Sequence, residues 1–371
     1  MKTNPLIEVK HLGQSLWLDY IQRGLLSSGE FQQLIDNDGI CGVTSNPSIF
    51  EKAMVEHNDY DAAIKHLQGS DANIVYEQLA IEDLQQAADL LNPVYESSQG
   101  RDGYVSFEVA PQLAYDTEAT VEEARRLWAA LNRPNSLIKV PATLAGVAAI
   151  QQLTAAGINV NATLLFSLQR YLEVAQAYIS GLEMRAAKGE SLTSAASVAS
   201  FFLSRIDTLV DSQLDAQATA NPQPALQEKA QQLRGQTAIA SARLAYQDYK
   251  RLFSGARWQR LAAVGASTQR LLWASTSTKD PSYSDIKYVE ALIGSDTINT
   301  LPMETVAAYR DHGQPALRLE DDIDKAQQVV DDLSEVQLDL IAVTDQLEKE
   351  GVQKFSAAYN KLFDNLKQRI D

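Results

Sequence analysis

Eight short apolar runs, at 15–19, 42–44, 104–108, 137–140, 159–164, 196–201, 261–266 and 296–300, alternate with longer stretches of helical patterning. That alternation predicts a parallel sheet, because parallel neighbours need a crossover of about helical length between them. Eight such units predict closure into a (β/α)8 TIM barrel rather than an open sheet. The chain has 371 residues, more than the ~250 typical of such a barrel. The excess falls in three places. The interval 51–100 holds two helical patterns, 51–67 and 72–91, and 203–258 holds alanine- and glutamine-rich helices around a break at Asn221-Pro222-Gln223-Pro224, whose X-Pro steps disfavour continued helix. The segment 319–371 is acidic, then amphipathic, with Val330, Leu333, Val336, Leu338 and Leu340 followed by Phe355, Tyr359, Leu362 and Phe363. It is expected to form helices against the barrel. With no repeat or linker dividing it, 1–371 reads as one barrel domain with helical insertions near 51–100 and 203–258 and a C-terminal helical extension at 319–371.

A lysine stands inside one of these runs. Ser136-Leu137-Ile138-Lys139-Val140-Pro141 reads as a buried strand that stops at proline. Removing an ammonium from water is costly, and the cheaper outcome is loss of its proton, which leaves a nucleophilic amine. Such an amine attacks a ketone to form a Schiff base. The alternative is a lysine that lays its apolar stem along the strand and carries its charge to solvent.

Barrel enzymes react at the carboxyl ends of their strands, so the polar residues there are the candidates. They are Asp19 on the first strand, Thr44-Ser45-Asn46 on the second, Glu108 on the third, Asn161 and Thr163 on the fifth, and Ser200 on the sixth with Arg205 beyond it. Residues two apart on a strand share a face, so Asn161 and Thr163 both point inward. Each has a structural alternative. Asp19 is also a helix-cap residue type, Thr44-Ser45-Asn46-Pro47 a turn and helix start, Glu108 an exposed-face carboxylate, Asn161 a backbone partner and Arg205 a surface ion pair. Taken together, an Asp, a Glu and a Lys around one pocket supply an amine nucleophile and two carboxyls for proton transfer.

Composition narrows the partners. A formal net charge of −16 argues against nucleic acid or an anionic membrane, while local arginines still allow a small anionic substrate. One cysteine, Cys41, excludes an intrachain disulfide and fits a reducing, cytoplasmic setting. It reads as a small core residue. No apolar run approaches the ~18 residues of a membrane span, and the first twelve residues lack a signal-peptide core. The four histidines, His11, His57, His66 and His312, are scattered, and neither a zinc pattern nor a nucleotide-binding loop is present. No metal and no cofactor are expected.

Several of these segments resemble one family. Gly42-Val43-Thr44-Ser45-Asn46-Pro47-Ser48-Ile49-Phe50 looks like the first transaldolase signature. Leu137 to Thr143 with Gly146 looks like the second, which contains the Schiff-base lysine. Val105-Ser106-Phe107-Glu108-Val109 and Gly157 to Ser167 also match, in the family's order from about Asp19 to about Thr300. The length and C-terminal extension resemble the longer bacterial branch.

The resemblance implies a cytoplasmic transferase of the pentose phosphate pathway that moves a dihydroxyacetone unit between sugar phosphates. By that likeness, Lys139 forms the imine, Asp19 moves the proton at the hydroxyl where the carbon–carbon bond breaks, and Glu108 with Thr163 holds a proton-relaying water. Asn46 and Asn161 bind substrate hydroxyls, Thr44 and Ser45 shape the same wall, and Ser200 with Arg205 holds the phosphate. One departure stands out. The family's second phosphate arginine follows a Gly-Ala-Ser at the seventh strand, whereas Gly265-Ala266-Ser267 here runs into Thr268-Gln269-Arg270. Arg270, displaced by one position, is the candidate, and Lys279, in the stretch Leu272 to Lys279 taken as the adjacent loop, is the next. A fructose-6-phosphate aldolase-type lyase and a catalytically silent barrel remain as alternatives, as do monomer and homodimer.

Overall fold

The computed structural model describes residues 4–220 and 223–370. Eight parallel strands close into a barrel in the order β1-β2-β3-β4-β5-β6-β7-β8. They are β1 (Ser15–Leu18), β2 (Ile40–Val43), β3 (Tyr104–Glu108), β4 (Ser136–Pro141), β5 (Val160–Leu165), β6 (Ser197–Phe202), β7 (Arg270–Ala274) and β8 (Ile298–Leu301). Closure is made by β1 against β8, with Ser15 opposite Ile298 and Leu18 opposite Leu301. Every strand residue is buried, as expected of strands whose inner faces fill the barrel and whose outer faces meet helices. Seven strands lie within two residues of their expected positions, a shift of the size by which element ends ordinarily differ.

The seventh strand does not. The run 261–266 is the end of a helix, Ala256–Ala262, and its C-terminal turn. Gly265 takes a left-handed φ of +95°, and the Ala266 amide donates back to the Leu261 carbonyl at 3.1 Å, the pattern of a glycine-terminated helix. Leu261 is buried and Val264 is 59% exposed. This is one face of a helix, and not a strand buried on both sides. The strand is the stretch taken as loop, Arg270-Leu271-Leu272-Trp273-Ala274.

The insertions are helical. The first helical pattern splits, with Pro47–Glu56 ending before a short turn and Asp61–His66 following. The second runs past Pro93 to Ser97. Between β6 and β7 come Ser204–Ala220, Pro224–Leu233, Thr237–Leu252 and Ala256–Ala262. Asn221 and Pro222 of the expected break lie outside the described residues, but helices stop and start on either side of it. After β8 the chain forms Met303–His312, Ile323–Glu335 and the long Leu340–Ile370.

That last helix packs on Pro47–Glu56, Ala72–Ser97 and Ser204–Ala220. Tyr359 and Phe363 meet Tyr76 edge-on, each with ring centroids 5.7 Å away, and Tyr76 continues to Phe50 and Phe107. Lys361 pairs with Glu51 at 2.9 Å and Glu348 with Arg170 at 3.2 Å. The helix therefore ties two insertions to the barrel. Among the described residues no helix is long and apolar enough to cross a membrane.

The end of β4 tolerates little change. Thr143 caps the helix Leu144–Ala155 by accepting the Gly146 amide at 3.0 Å, and a Cβ on Gly146 would overlap the Pro141 carbonyl oxygen. Backbone cannot swing aside as a side-chain tip can. Gly146→Ala is expected to destabilise the fold by about 3 kcal/mol, the upper range for overpacking, as read by chemical denaturation. A loss near zero would show that this turn is loose.

Candidate active site

A cavity of about 650 Å³ opens at the carboxyl ends of the strands, lined by Asp19, Thr44, Asn46, Lys139, Thr163, Ser200, Arg205 and Lys279, among others. The strand register explains much of this convergence. Glu108 is opposite Lys139, Lys139 opposite Asn161, and Thr163 one inward step beyond. Leu164, next in line, takes a left-handed φ of +60° where β5 shifts register against β6. A left-handed leucine is a strained backbone feature of the kind that clusters at functional sites.

Lys139 is 5% exposed. Its Nζ donates to the Ser45 carbonyl at 2.8 Å and stands 3.4 Å from a Glu108 carboxylate oxygen, so the buried amine has charged and neutral partners and does not extend to solvent. Glu108 is buried, and its two oxygens have no hydrogen-bond donor among the described residues. Nor has the buried Thr163 hydroxyl a partner there. Burial raises the Glu108 pKa, with Lys139 opposing. Asp19 opens onto the cavity, yet the packing around its carboxyl raises its pKa too, again against the pull of Lys139. Thr44 donates to Asp19 at 2.7 Å and lies 2.7 Å from the Thr300 hydroxyl. Thr44 has one proton to give, so Thr300 donates to Thr44 and the chain of hydroxyls fixes the carboxylate.

The other candidates divide. Asn46 lines the cavity and also caps the helix Pro47–Glu56, accepting the Ile49 amide at 3.0 Å. Ser45 supplies its carbonyl to Lys139, and its hydroxyl donates to the Ser106 carbonyl at 2.7 Å. Asn161 is buried behind the lining, donating to Ser106 at 3.1 Å and accepting from Ser200 at 2.7 Å. Arg205 sits in the first turn of Ser204–Ala220, its guanidinium carbon 5.4 Å from the Phe202 ring centre and 5.8 Å from that of Phe355. One terminal nitrogen of Arg205 is buried with no partner among the described residues. Burial pushes the Arg205 pKa down, opposed by Asp19 and Glu108.

Arg270 is not at this site. As the first residue of β7 it lies at the opposite end of the barrel, donating to Ser15 at 2.8 Å, to Asp102 at 2.8 Å and to the Arg101 carbonyl. Gly265-Ala266-Ser267 precedes the strand instead of ending it. The true end is Ala274, and the loop beyond it brings Ser275, Thr276, Ser277 and Lys279 to the cavity. Lys279 donates to Ser277 at 2.6 Å and has no carboxylate partner among the described residues. Thr300 and Phe355 were missed as site residues. Thr300 was legible as the end of the eighth strand, whereas nothing local marks Phe355. Cys41 is buried, and its thiol donates to the Leu16 carbonyl at 3.3 Å, consistent with a core role. Among the described residues no three His, Cys, Asp or Glu side chains group as metal ligands would.

Comparison with known proteins gives one consistent answer. The model of the Transaldolase/Fructose-6-phosphate aldolase family matches residues 16–366. A relative named Transaldolase 2 from Nostoc sp. (strain PCC 7120) is 48% identical, covering all of this chain and 98% of its own. A transaldolase of Thiobacillus denitrificans is 49% identical over 96% of this chain and 97% of its own, and one of Mycobacterium tuberculosis is 44% identical over 99% and 98%.

The geometry generates two tests. Asp102 accepts from Arg270, from Ser15 at 2.8 Å and from Trp17 at 3.3 Å, so Arg270→Ala breaks a buried pair. It should cost about 3–5 kcal/mol of stability by denaturation, with KM for a phosphorylated substrate unchanged. A raised KM in a stable protein would return Arg270 to the site.

The second test concerns pH. With its folded pKa above its unfolded value, Asp19 imposes no cost on folding below about pH 4. The cost accrues as pH rises above the unfolded value and is complete once pH passes the folded value. Asp19→Asn keeps an acceptor for Thr44 and should melt higher than the parent at pH 7, the gap closing toward pH 4. A gap that widened on acidification would show the reverse shift.

Proposed function

Because the chain belongs to the transaldolase/fructose-6-phosphate aldolase family, we infer that it is a transaldolase, moving a three-carbon dihydroxyacetone unit from a ketose phosphate to an aldose phosphate through a lysine imine. The observation that carries this reading is a buried amine beside two carboxyls of raised pKa, at a cavity lined by Arg205, one of whose buried nitrogens has no partner among the described residues. The amine needs a ketone, the carboxyls move protons, and the guanidinium awaits an anion.

The steps follow from the residues. Lys139 attacks the C2 carbonyl of the ketose, and loss of water leaves a protonated imine. Glu108 and Thr163, whose buried oxygens have no hydrogen-bond partner among the described residues, hold the water that relays protons in this step, since buried polar atoms are rarely left unbonded. Asp19 takes the proton of the C4 hydroxyl. The C3–C4 bond then breaks, its electron pair flows into the imine, and the aldose leaves. The enamine that remains attacks the carbonyl of an incoming aldose by the reverse path. Asn46 binds substrate hydroxyls, Thr44 aligns Asp19, and Ser45 orients Lys139 through its carbonyl. Asn161 acts through Ser200, whose hydroxyl it accepts. Arg205 holds the phosphate with Lys279, which takes the place expected for Arg270.

Phe355 brings the long C-terminal helix over the site. Covering the covalent intermediate slows its loss to water, which favours transfer over the lyase reaction. Borohydride in the presence of fructose 6-phosphate should add a dihydroxyacetone-derived mass to the Lys139 peptide, and Lys139→Arg should abolish it. Supplying erythrose 4-phosphate should speed turnover and yield sedoheptulose 7-phosphate with glyceraldehyde 3-phosphate. Labelling of another lysine would overturn the mechanism, and equal rates with and without the acceptor would make the enzyme an aldolase.

A further inference from the structure

We propose that the helix Ser204–Ala220 builds the phosphate end of the site as one unit, with Asp211 and its partner Tyr283 as positioning residues for Lys279. The inference rests on reading Lys279 as a phosphate ligand. Arg205 occupies the first turn of this helix. Lys279 lies on the loop 275–286, between β7 and the short helix Lys287–Ala291. An exposed lysine on a loop of that length supplies little affinity unless the loop is held, because ordering it on binding costs entropy.

The helix holds it along its length. At its start, the Leu203 and Ser204 amides donate to the Ala274 and Ser275 carbonyls, both at 3.0 Å, and the Ser204 and Ser275 hydroxyls are 2.9 Å apart. These bonds fix Ser275 in a left-handed backbone, φ +54°. Asp207 is buried; it accepts the Ala238 amide at 2.8 Å, and Lys287 at 3.0 Å and Tyr288 at 2.9 Å from beyond the loop. One turn later Asp211 accepts the Gly235 amide at 2.8 Å and the Tyr283 hydroxyl at 2.7 Å. Arg234 reaches Asp280 at 3.2 Å, and the Lys287 ammonium sits 3.7 Å from the centre of the Tyr283 ring.

Two carboxylates one helical turn apart thus grip the far side of the loop, while the turn before them presents Arg205. Displacing this helix would move both phosphate cations together. Ser275 and Tyr283 each lie four residues from Lys279, one on either side, and the Tyr283 hydroxyl is the helix's tether on the C-terminal side.

The test is a double-mutant cycle of Tyr283→Phe and Lys279→Ala, with fructose 6-phosphate or unphosphorylated fructose as donor and glyceraldehyde as acceptor. Tyr283→Phe removes one oxygen and should fold; Asp211→Asn provides a second cut at the same contact. Each is expected to raise KM for fructose 6-phosphate about three- to tenfold, the factor for one net hydrogen bond. Turnover of fructose should be unchanged, and Tyr283→Phe should have no further effect once Lys279 is alanine. If Lys279→Ala leaves KM for fructose 6-phosphate unchanged, the phosphate reading itself fails, and this proposal with it. If Lys279→Ala raises KM but the anchor variants do not, act additively with it, or slow fructose equally, the anchor is merely structural and the proposal is overturned.

Discussion

Keeping a lysine amine inside a closed barrel is the constraint on which the rest of this structure depends. A charge taken from water must be met by partners or given up, and Lys139 is met by the Ser45 carbonyl and the Glu108 carboxylate. Those partners arrive on β3 and on the turn after β2, and the register of β3 against β4 sets Glu108 opposite the lysine. The carboxylates then need burial of their own. Asp19 is held by a hydroxyl relay from Thr44 and Thr300 that brings the ends of β1, β2 and β8 together. One buried amine therefore explains polar residues on most of the strands.

The opposite end of the barrel meets the same demand without chemistry. Arg270, Asp102, Ser15 and Trp17 form a compact network there, in which each charge has its counter-charge and the carboxylate three donors. The Glu108 oxygens have no hydrogen-bond donor among the described residues, whereas the Asp102 carboxylate has three. That difference in satisfaction separates a reactive cluster from a structural one more clearly than burial does, since the two lysine and arginine side chains are about equally hidden.

Much of the fold and of the site was legible in the sequence. Strand periodicity exposed Lys139, Glu108, Asn161 and Thr163, because inward-facing polar residues interrupt apolar runs at fixed steps. Where the signal failed, competing physics explains it. Leu261-Ala262-Ala263-Val264 is apolar enough for a strand, but glycine follows at a helix C-terminus, and the real strand begins with a charged residue, Arg270, that looked like a ligand. Asn46 caps a helix and also lines the cavity, since the oxygen that caps a helix leaves the amide nitrogen for another partner. Phe355 had no local mark, because its contact with Arg205 joins elements about 150 residues apart in sequence, and only the path of the C-terminal helix creates it.

That helix also bears on how a protein of net charge −16 accommodates a dianion. The net charge acts at long range and is screened over roughly 8–10 Å at cellular salt, so what matters is the short-range field at the cavity. At Asp19 and Glu108 burial raises the pKa while Lys139 pulls it down, so the amine, not the distant surface, sets the local balance. Two aromatic faces hold the Arg205 guanidinium while leaving a nitrogen unbonded, so its hydrogen-bonding capacity is not spent on the protein. Cation–π contact orients a cation without neutralising it, which a carboxylate in the same position would do. Phe355 thereby joins the C-terminal helix to the arginine: in the proposed function, the element that covers the intermediate is also the one that orients the phosphate ligand.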